Sequence, residues 1–433
     1  MASTTVGLLA LVLLVVLCAA GLELGIAMTI SGFAGIAYLR GLEAAVGLVG
    51  KDFFDVFASY GFTVIPLFIL MGQVALNSGI AGQLYGGARK FMGHLPGGLG
   101  IATVAGATLF KAVCGSTIAT TATFGSVAVP EMDRSGYKRV LSTGVVASVG
   151  TLGNLIPPSA TLMVIGMITQ QSIGRLFLAG IVPGLLVSLL FALVIVGWCR
   201  MDPTLGPRGA RYGWRERLST VPEILGPLVI FIVVIGGLFA GFFTPTESGS
   251  VGALSVALLT AARRELAFGA LLKSIRESLR IACMVLVLVA GSTVFGHFIT
   301  LAKITALIST WAVALPVPPS VIVCTILVVY LVGGSFIDDM AFLILATPIF
   351  YPAVQRLGYD PIWFAIIISI TASIGTIIPP VAMTVFVTRA ITQEPIGVIY
   401  KGAAPFIISL FLCLVLAFAF PGLVTWLPSV LMK

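Results

Sequence analysis

Charged residues are scarce in this sequence. Asp, Glu, Lys and Arg supply 9% of its 433 residues, where a soluble globular domain carries about a quarter. With 59% hydrophobic residues beside that shortage, a soluble domain is excluded. The two histidines, His94 and His297, form no metal set. The six cysteines (18, 114, 199, 283, 324 and 413) lie in or beside apolar segments without C-x-x-C spacing, which argues against a disulfide or zinc framework. No G-x-x-x-x-G-K-[ST] occurs, so P-loop ATP hydrolysis is excluded. The start, M-A-S-T-T-V-G-L-L-A, lacks the basic region of a signal peptide and reads as a retained span. A net charge of +8 is dispersed through short loops. Topology selection leaves that pattern, and it offers no patch for nucleic acid.

What is present is apolar sequence in runs near the twenty residues a bilayer-spanning helix needs: Val6–Ala20, Ile224–Phe243, Ile281–Phe298, Val321–Val332 and Phe406–Phe420. Mean hydropathy is +1.14. The expected fold is an all-α polytopic membrane protein embedded among membrane lipids.

Within it the chain repeats itself. An offset of 222 residues pairs Gly136 with Gly358, Tyr137 with Tyr359, Gly153 with Gly375, Pro157 with Pro379, Pro158 with Pro380, Gly180 with Gly402 and Pro183 with Pro405. Gly and Pro dominate these matches, and they fix backbone geometry where chance agreement of apolar letters would not. Two homologous halves follow, after a short N-terminal pair of spans. The expected organisation is 1–60 as N-terminal scaffold spans and 61–200 as the first repeat, with a hairpin about 98–132 and a broken helix about 140–168. Joining spans fill 201–280, with an amphipathic helix at 263–280 lying on the cytoplasmic interface. The second repeat is 281–420, with a hairpin about 316–353 and a broken helix about 361–391, and 421–433 is a tail.

Arginines orient the halves. The loop 200–217 carries five of them and is placed in the cytoplasm. The corner D-R-S-G-Y-K-R (133–139) is basic, whereas its partner Q-R-L-G-Y-D-P (355–361) is nearly neutral. An odd number of crossings between the halves would put these corners on opposite sides, giving inverted-topology repeats. This layout leaves Arg40, Lys51, Arg175, Lys303, Arg356 and Lys433 outside, Lys111 within the membrane, and both termini facing out.

The breaks carry the chemistry. G-N-L-I-P-P-S (153–159) and G-T-I-I-P-P-V (375–381) interrupt apolar spans, and proline there removes backbone donors and forbids helical continuation. Bare backbone groups at membrane depth need protein or a wet cavity to satisfy them. One such break reads as a packing kink, but two at matched positions point to a midplane binding site. Before each break lies an irregular stretch, Phe110–Pro130 and Tyr330–Pro348. Each reads as a re-entrant hairpin, its tip at Gly115-Ser116 in the first and at Gly334-Ser335 in the second. Half-helix N-termini suit an anionic solute, and unwound carbonyls and hydroxyls suit Na⁺.

These segments resemble the large membrane subunit of the tripartite ATP-independent periplasmic (TRAP) transporters. The likeness rests on F-K-A-V-C-G-S-T-I-A-T-T-A-T-F-G-S-V-A-V-P-E-M (110–132), G-T-L-G-N-L-I-P-P-S (150–159), G-S-F-I-D (334–338), G-T-I-I-P-P (375–380) and I-P-L-F-I-L-M-G (65–72), and it covers nearly the whole chain in order. It implies an elevator-type carrier with transport and scaffold domains, coupled to Na⁺ and otherwise free of cofactors. It also implies a small four-helix membrane subunit, a soluble periplasmic binding protein that delivers a small organic acid, and a place in the bacterial inner membrane. The sequence departs from the family at Lys111, where a small residue is usual, at Asp339, often proline, at Asn154, often apolar, and at or near Arg389, usually uncharged.

Gly115, Ser116, Gly153, Gly334, Ser335, Asp338, Gly375 and Thr376 are candidate Na⁺ ligands. Lys111, Thr117, Asn154, Pro157, Pro158 and Pro379 are candidate solute contacts. For several a structural role competes: Ser116 and Thr117 as small packing residues, Lys111 snorkelling to water, Asn154 as a helix cap, Asp339 facing a vestibule and Arg389 ending a span. Glu247 is expected at a helix N-terminus. Three other functions compete with a binding-protein-dependent Na⁺ importer. A similar carrier taking its solute directly would do without the partners. An intramembrane aspartyl protease would need two converging aspartates, whereas Asp338 and Asp339 are adjacent. A channel is compatible with the composition but fits the paired broken helices less well.

Overall fold

Within lipid a backbone must satisfy its own hydrogen bonds, and a helix does so inside one segment. The computed structural model describes residues 3–432, and among them every regular element is helical. Lys433, expected outside, lies beyond the described residues. Among those described, six helices are long and apolar enough to cross a membrane: Tyr60–Asn77, Ile173–Met201, Trp214–Phe239, Phe268–Leu301, Pro319–Phe336 and Ile396–Ala419.

Shorter helices fill the remainder, and their order recurs. Gly98–Lys111, Thr117–Arg134, Arg139–Val149, Ala160–Thr169 and Ile173–Met201 follow one another in the first half. Pro319–Phe336, Asp339–Arg356, Pro361–Gly375, Met383–Thr392 and Ile396–Ala419 follow in the second. Thr117–Arg134 and Asp339–Arg356 begin and end 222 positions apart, as do the starts of Arg139–Val149 and Pro361–Gly375. The halves also pack crosswise. Thr117–Arg134 lies on Met383–Thr392, and Asp339–Arg356 lies on Ala160–Thr169. Near the middle, Ser373 Oγ donates to Thr151 O at 3.3 Å, a contact between positions 222 apart.

The corners of the halves are capped differently. Asp360 accepts from the amides of Ile362 and Trp363 at 2.8 and 2.9 Å and so starts its helix. Lys138, at the matching position, has no capping side chain and instead reaches Asp202 at 3.1 Å. The Thr204 hydroxyl and Lys138 together hold the Asp202 carboxyl below its ordinary range.

The N-terminal region has the apolar helices Ser3–Ala19 and Leu24–Arg40 and a further helix, Leu42–Ala58, before which Gly41 at φ 92° turns the chain sharply. Two expectations need correction. Residues 263–280 are not a separate interfacial helix. No Gly or Pro interrupts the sequence between Ala270 and Ala290, so Phe268–Leu301 runs as one 34-residue rod. The expected tail contains the helix Gly422–Leu431, which packs on Ile173–Met201.

Two apolar clusters hold the molecule together. The larger gathers both halves with Val64–Asn77, while the smaller joins the N-terminal helices to the end of Phe268–Leu301. His297 Nδ1 lies 2.8 Å from Asp52 Oδ2 across that second contact. Pro245–Ala262 starts with a capping box: Thr244 N–H donates to Glu247 Oε2 at 2.8 Å, and Glu247 N–H returns to Thr244 Oγ1 at 3.3 Å. Glu247 therefore stands where the sequence put it.

Candidate functional site

The first hairpin turns over Ala112–Ser116, between Gly98–Lys111 and Thr117–Arg134. Ser116 starts the returning arm, its Oγ accepting from Ala119 N–H at 3.3 Å. Gly115 sits so close to the carbonyl of Pro158 that a Cβ would overlap it. Only glycine lets this tip rest on the first unwound stretch.

The second hairpin turns elsewhere than expected. Pro319–Phe336 continues through Gly333, Gly334 and Ser335, and the chain extends only at Ile337-Asp338. Asp338 then starts the returning arm, its Oδ1 accepting from Ala341 N–H at 3.1 Å. The register between halves therefore pairs Ser116 with Asp338, not with Ser335, and Thr117 with Asp339. Gly333 and Gly334 serve close packing: the Phe342 ring covers Gly333, and Gly375 abuts the backbone of Gly334.

Both breaks are unwound at their prolines. In the first, Arg139–Val149 tightens through Gly150–Asn154, the chain opens over 155–159, and Ala160–Thr169 resumes with Ser159 as its cap. In the second, Pro361–Gly375 ends, 376–382 are irregular, and Met383–Thr392 resumes. Pro157 and Pro158 are buried, whereas Pro379 and Pro380 are exposed. Thr376 O already accepts from the amide and the hydroxyl of Thr384, at 3.2 and 3.0 Å.

A cavity of about 160 Å³ opens where the first tip, the first break and the second tip meet. Gly115, Ser116, Thr117, Asn154, Pro158 and Asp338 line it; Lys111, Gly153, Pro157, Gly334, Ser335, Gly375, Thr376 and Pro379 do not. Its far wall comes from Phe68, Gly72 and Gln73 on Val64–Asn77 and from Ile281, Met284 and Val285 on Phe268–Leu301. Asp338 and Asp339 are the charged residues of this lining among the described residues. An anionic solute here meets two acidic side chains, whose charge protons or cations would have to offset.

Asn154 joins the halves at this point. Its Nδ2 donates to Asp339 Oδ2 at 2.6 Å, while Oδ1 accepts from the hydroxyls of Thr117 at 3.2 Å and Thr161 at 3.1 Å. It is not the helix cap the sequence suggested, because Ser159 takes that role. Asp339 is likewise a bonded member of the cavity and not a bystander at a vestibule. A hydrogen bond to a charged group of this kind contributes about 1.5–3 kcal/mol.

Lys111 is wholly buried and lies behind the tip, its Nζ donating to Ser116 O at 2.7 Å. From that position it makes no contact with the cavity. Gln73 was missed by the reading of the sequence. It lines the cavity, and its buried Oε1 has no hydrogen-bond partner. A lone amide within I-P-L-F-I-L-M-G-Q-V was the available signal. Arg389 is exposed near the end of Met383–Thr392.

Comparison with known proteins finds a family, two relatives and a solved structure. The family profile described as "Tripartite ATP-independent periplasmic transporter, DctM component" matches residues 11–423. A C4-dicarboxylate TRAP transporter large permease protein of Pseudomonas aeruginosa is 35% identical over 377 residues, 87% of this chain and 88% of that one. An ectoine TRAP transporter large permease protein of Halomonas elongata is 33% identical, covering 84% and 85%. Among solved structures, the YdaH transporter of Alcanivorax borkumensis matches with a TM-score of 0.63 at 16% identity, over 88% of this chain and 89% of that one, a likeness of fold. These relatives are permeases, not enzymes.

Proposed function

The chain belongs to the DctM family of tripartite ATP-independent periplasmic transporters, and from that premise we propose that it imports a small organic acid together with Na⁺ by an elevator motion. The family works by secondary transport with a binding protein, and the chain is a multi-pass membrane protein. The finer reading adds a small four-helix subunit, a periplasmic binding protein that hands over the solute, and the inner membrane as the site of action.

The observation that carries this reading is the cavity shared by the two hairpin tips and bridged by Asn154 and Asp339. A solute held there touches both halves at once. Two acidic side chains with no cationic side chain in the described lining call for offsetting positive charge beside an acid, which this reading assigns to co-bound Na⁺. The unwound stretches offer carbonyls of the kind that coordinate Na⁺ in such carriers. In the elevator reading the hairpins and broken helices travel as one body. The N-terminal helices, Pro245–Ala262 and Phe268–Leu301 then form the frame they move against, and the two halves are inverted relative to each other.

Uptake into proteoliposomes containing the chain, its small subunit and the binding protein tests this. Accumulation is expected under an inward Na⁺ gradient. It should vanish when K⁺ replaces Na⁺ and when the binding protein is omitted. Uptake indifferent to Na⁺ sinks the coupling, and uptake without the binding protein favours a free-standing carrier. Crosslinks between the moving body and the frame should stop uptake while leaving assembly intact.

The same carboxylates favour one second reading, a solute that itself carries a cationic group. Competition by zwitterionic acids stronger than by plain dicarboxylates would select it.

A further inference from the structure

We infer that Lys111 is a tethered cation occupying the place between the first hairpin tip and the first unwound stretch, so that this half takes no free metal ion and the coupling ion is left to the second half. The inference rests on the cation-coupled reading above and concerns how its ions are divided.

Lys111 is the last residue of Gly98–Lys111, where the helix presents its carbonyls and the negative end of its dipole. Its side chain does not leave for water: the residue is 0% exposed. The ammonium donates to Ser116 O at 2.7 Å and lies against Gly153, near enough that a Cβ on Gly153 would overlap Nζ. The Thr117 hydroxyl oxygen is 3.2 Å from that same Cβ position. Among the described residues no carboxylate stands within ion-pair distance of Lys111. Burying an ammonium with no paired carboxylate is costly unless dipoles are aimed at it. Here the tip carbonyl of Ser116 accepts from it, and the end of its own helix and the tight turn at Gly153 lie beside it. Ser116 and Gly153 are candidate Na⁺ ligands of this half, and the lysine touches both.

The second half lacks the device. Position 333, matching Lys111, is glycine, and position 338, matching Ser116, is aspartate. One half therefore carries its own positive charge, and the other carries carboxylates that call for an ion from solution.

The test uses the purified full-length chain in lipid nanodiscs. Bound ²²Na⁺ per chain and thermal stability are measured in NaCl against KCl at one ionic strength. Lys111→Ala is expected to bind one more Na⁺ than wild type and to gain a stabilisation by Na⁺ that K⁺ does not give. Lys111→Ala with no added Na⁺ overturns the inference. Should that variant not fold, Gly153→Ala decides. It presses on the ammonium and should lower stability equally in both salts with the Na⁺ count unchanged, and a selective loss of Na⁺ binding overturns the inference. Wild type that binds no Na⁺ while Lys111→Ala gains a site upholds the lysine as the occupant of the first half but overturns an ion in the second, and with it Na⁺ coupling. Binding in wild type without the gain does the reverse, and no binding in either sinks both.

Discussion

Ser116 and Asp338 stand 222 residues apart and perform the same local task, each starting the returning arm of a hairpin by accepting from the amide three residues on. One is a neutral hydroxyl and the other a carboxylate. Lys111 and Gly333 share a position in the same way, one a buried cation and the other bare backbone. Even the unwound stretches differ, the first buried at its prolines and the second exposed. The comparison teaches that backbone geometry and electrostatics are separable here. The hairpin-tip caps, the turns and the breaks repeat because the chain must bend at the same places, while the charges placed on those bends differ.

Substitutions can break or sharpen that comparison. The largest effect is expected at the capping pair. Asp338→Asn keeps a cap but removes a charge from the cavity, and should lower uptake efficiency by about 100-fold. Ser116→Ala should cost under about 10-fold, as neutral hydrogen bonds contribute less than charged ones. Equal losses would mean that the cap, and not the charge, matters. Next come the glycines of the breaks. A Cβ on Gly375 would stand 2.9 Å from the carbonyl carbon of Gly334, rigid backbone that cannot retreat. Gly375→Ala should destabilise the protein by about 1–3 kcal/mol. Gly153→Ala meets the end of a flexible lysine and should cost less; thermal unfolding in detergent compares the two.

Asn154→Leu severs the bond to Asp339 across the halves and should weaken apparent solute affinity about 10-fold, the lower end of a charged hydrogen bond. Thr376, at the matching position, spends its hydroxyl on Ser373 O at 2.8 Å within its own half, so Thr376→Val should leave affinity alone. Binding measured by solute-dependent stabilisation separates the two outcomes. The smallest effect lies at the corners. Asp360→Ala should cost about 1 kcal/mol as a lost cap, whereas Lys138→Ala, losing an exposed ion pair, should cost nothing measurable.

Much of this was legible in the sequence. Gly and Pro at a fixed offset announced two similar halves with breaks in matched places, because those residues act on the chain directly. Glu247 was expected at a helix N-terminus and stands there, paired with Thr244. The second tip was misplaced, since Gly333-Gly334-Ser335 looks like a turn but serves close packing against Phe342 and Gly375. Asn154, Asp339 and Gln73 gain their meaning from partners on other helices, and spacing along one chain carries no record of that. Lys111 was visible as a lone charge at membrane depth, but its direction, inward to Ser116 O instead of toward the cavity, depends on the fold of the tip.

The uninterrupted rod Phe268–Leu301 has a consequence for how the protein sits in its bilayer. At 1.5 Å per residue its 34 residues extend about 51 Å, well beyond a hydrocarbon layer of about 30 Å. It cannot stand upright wholly in acyl chains. Lys273, Arg276 and Arg280 near its beginning are exposed, so that end belongs among phosphates and the other end is sunk beside the N-terminal helices. A strut pinned in this manner fixes draught, as a keel does, and gives any sliding neighbour a waterline against which its travel is measured.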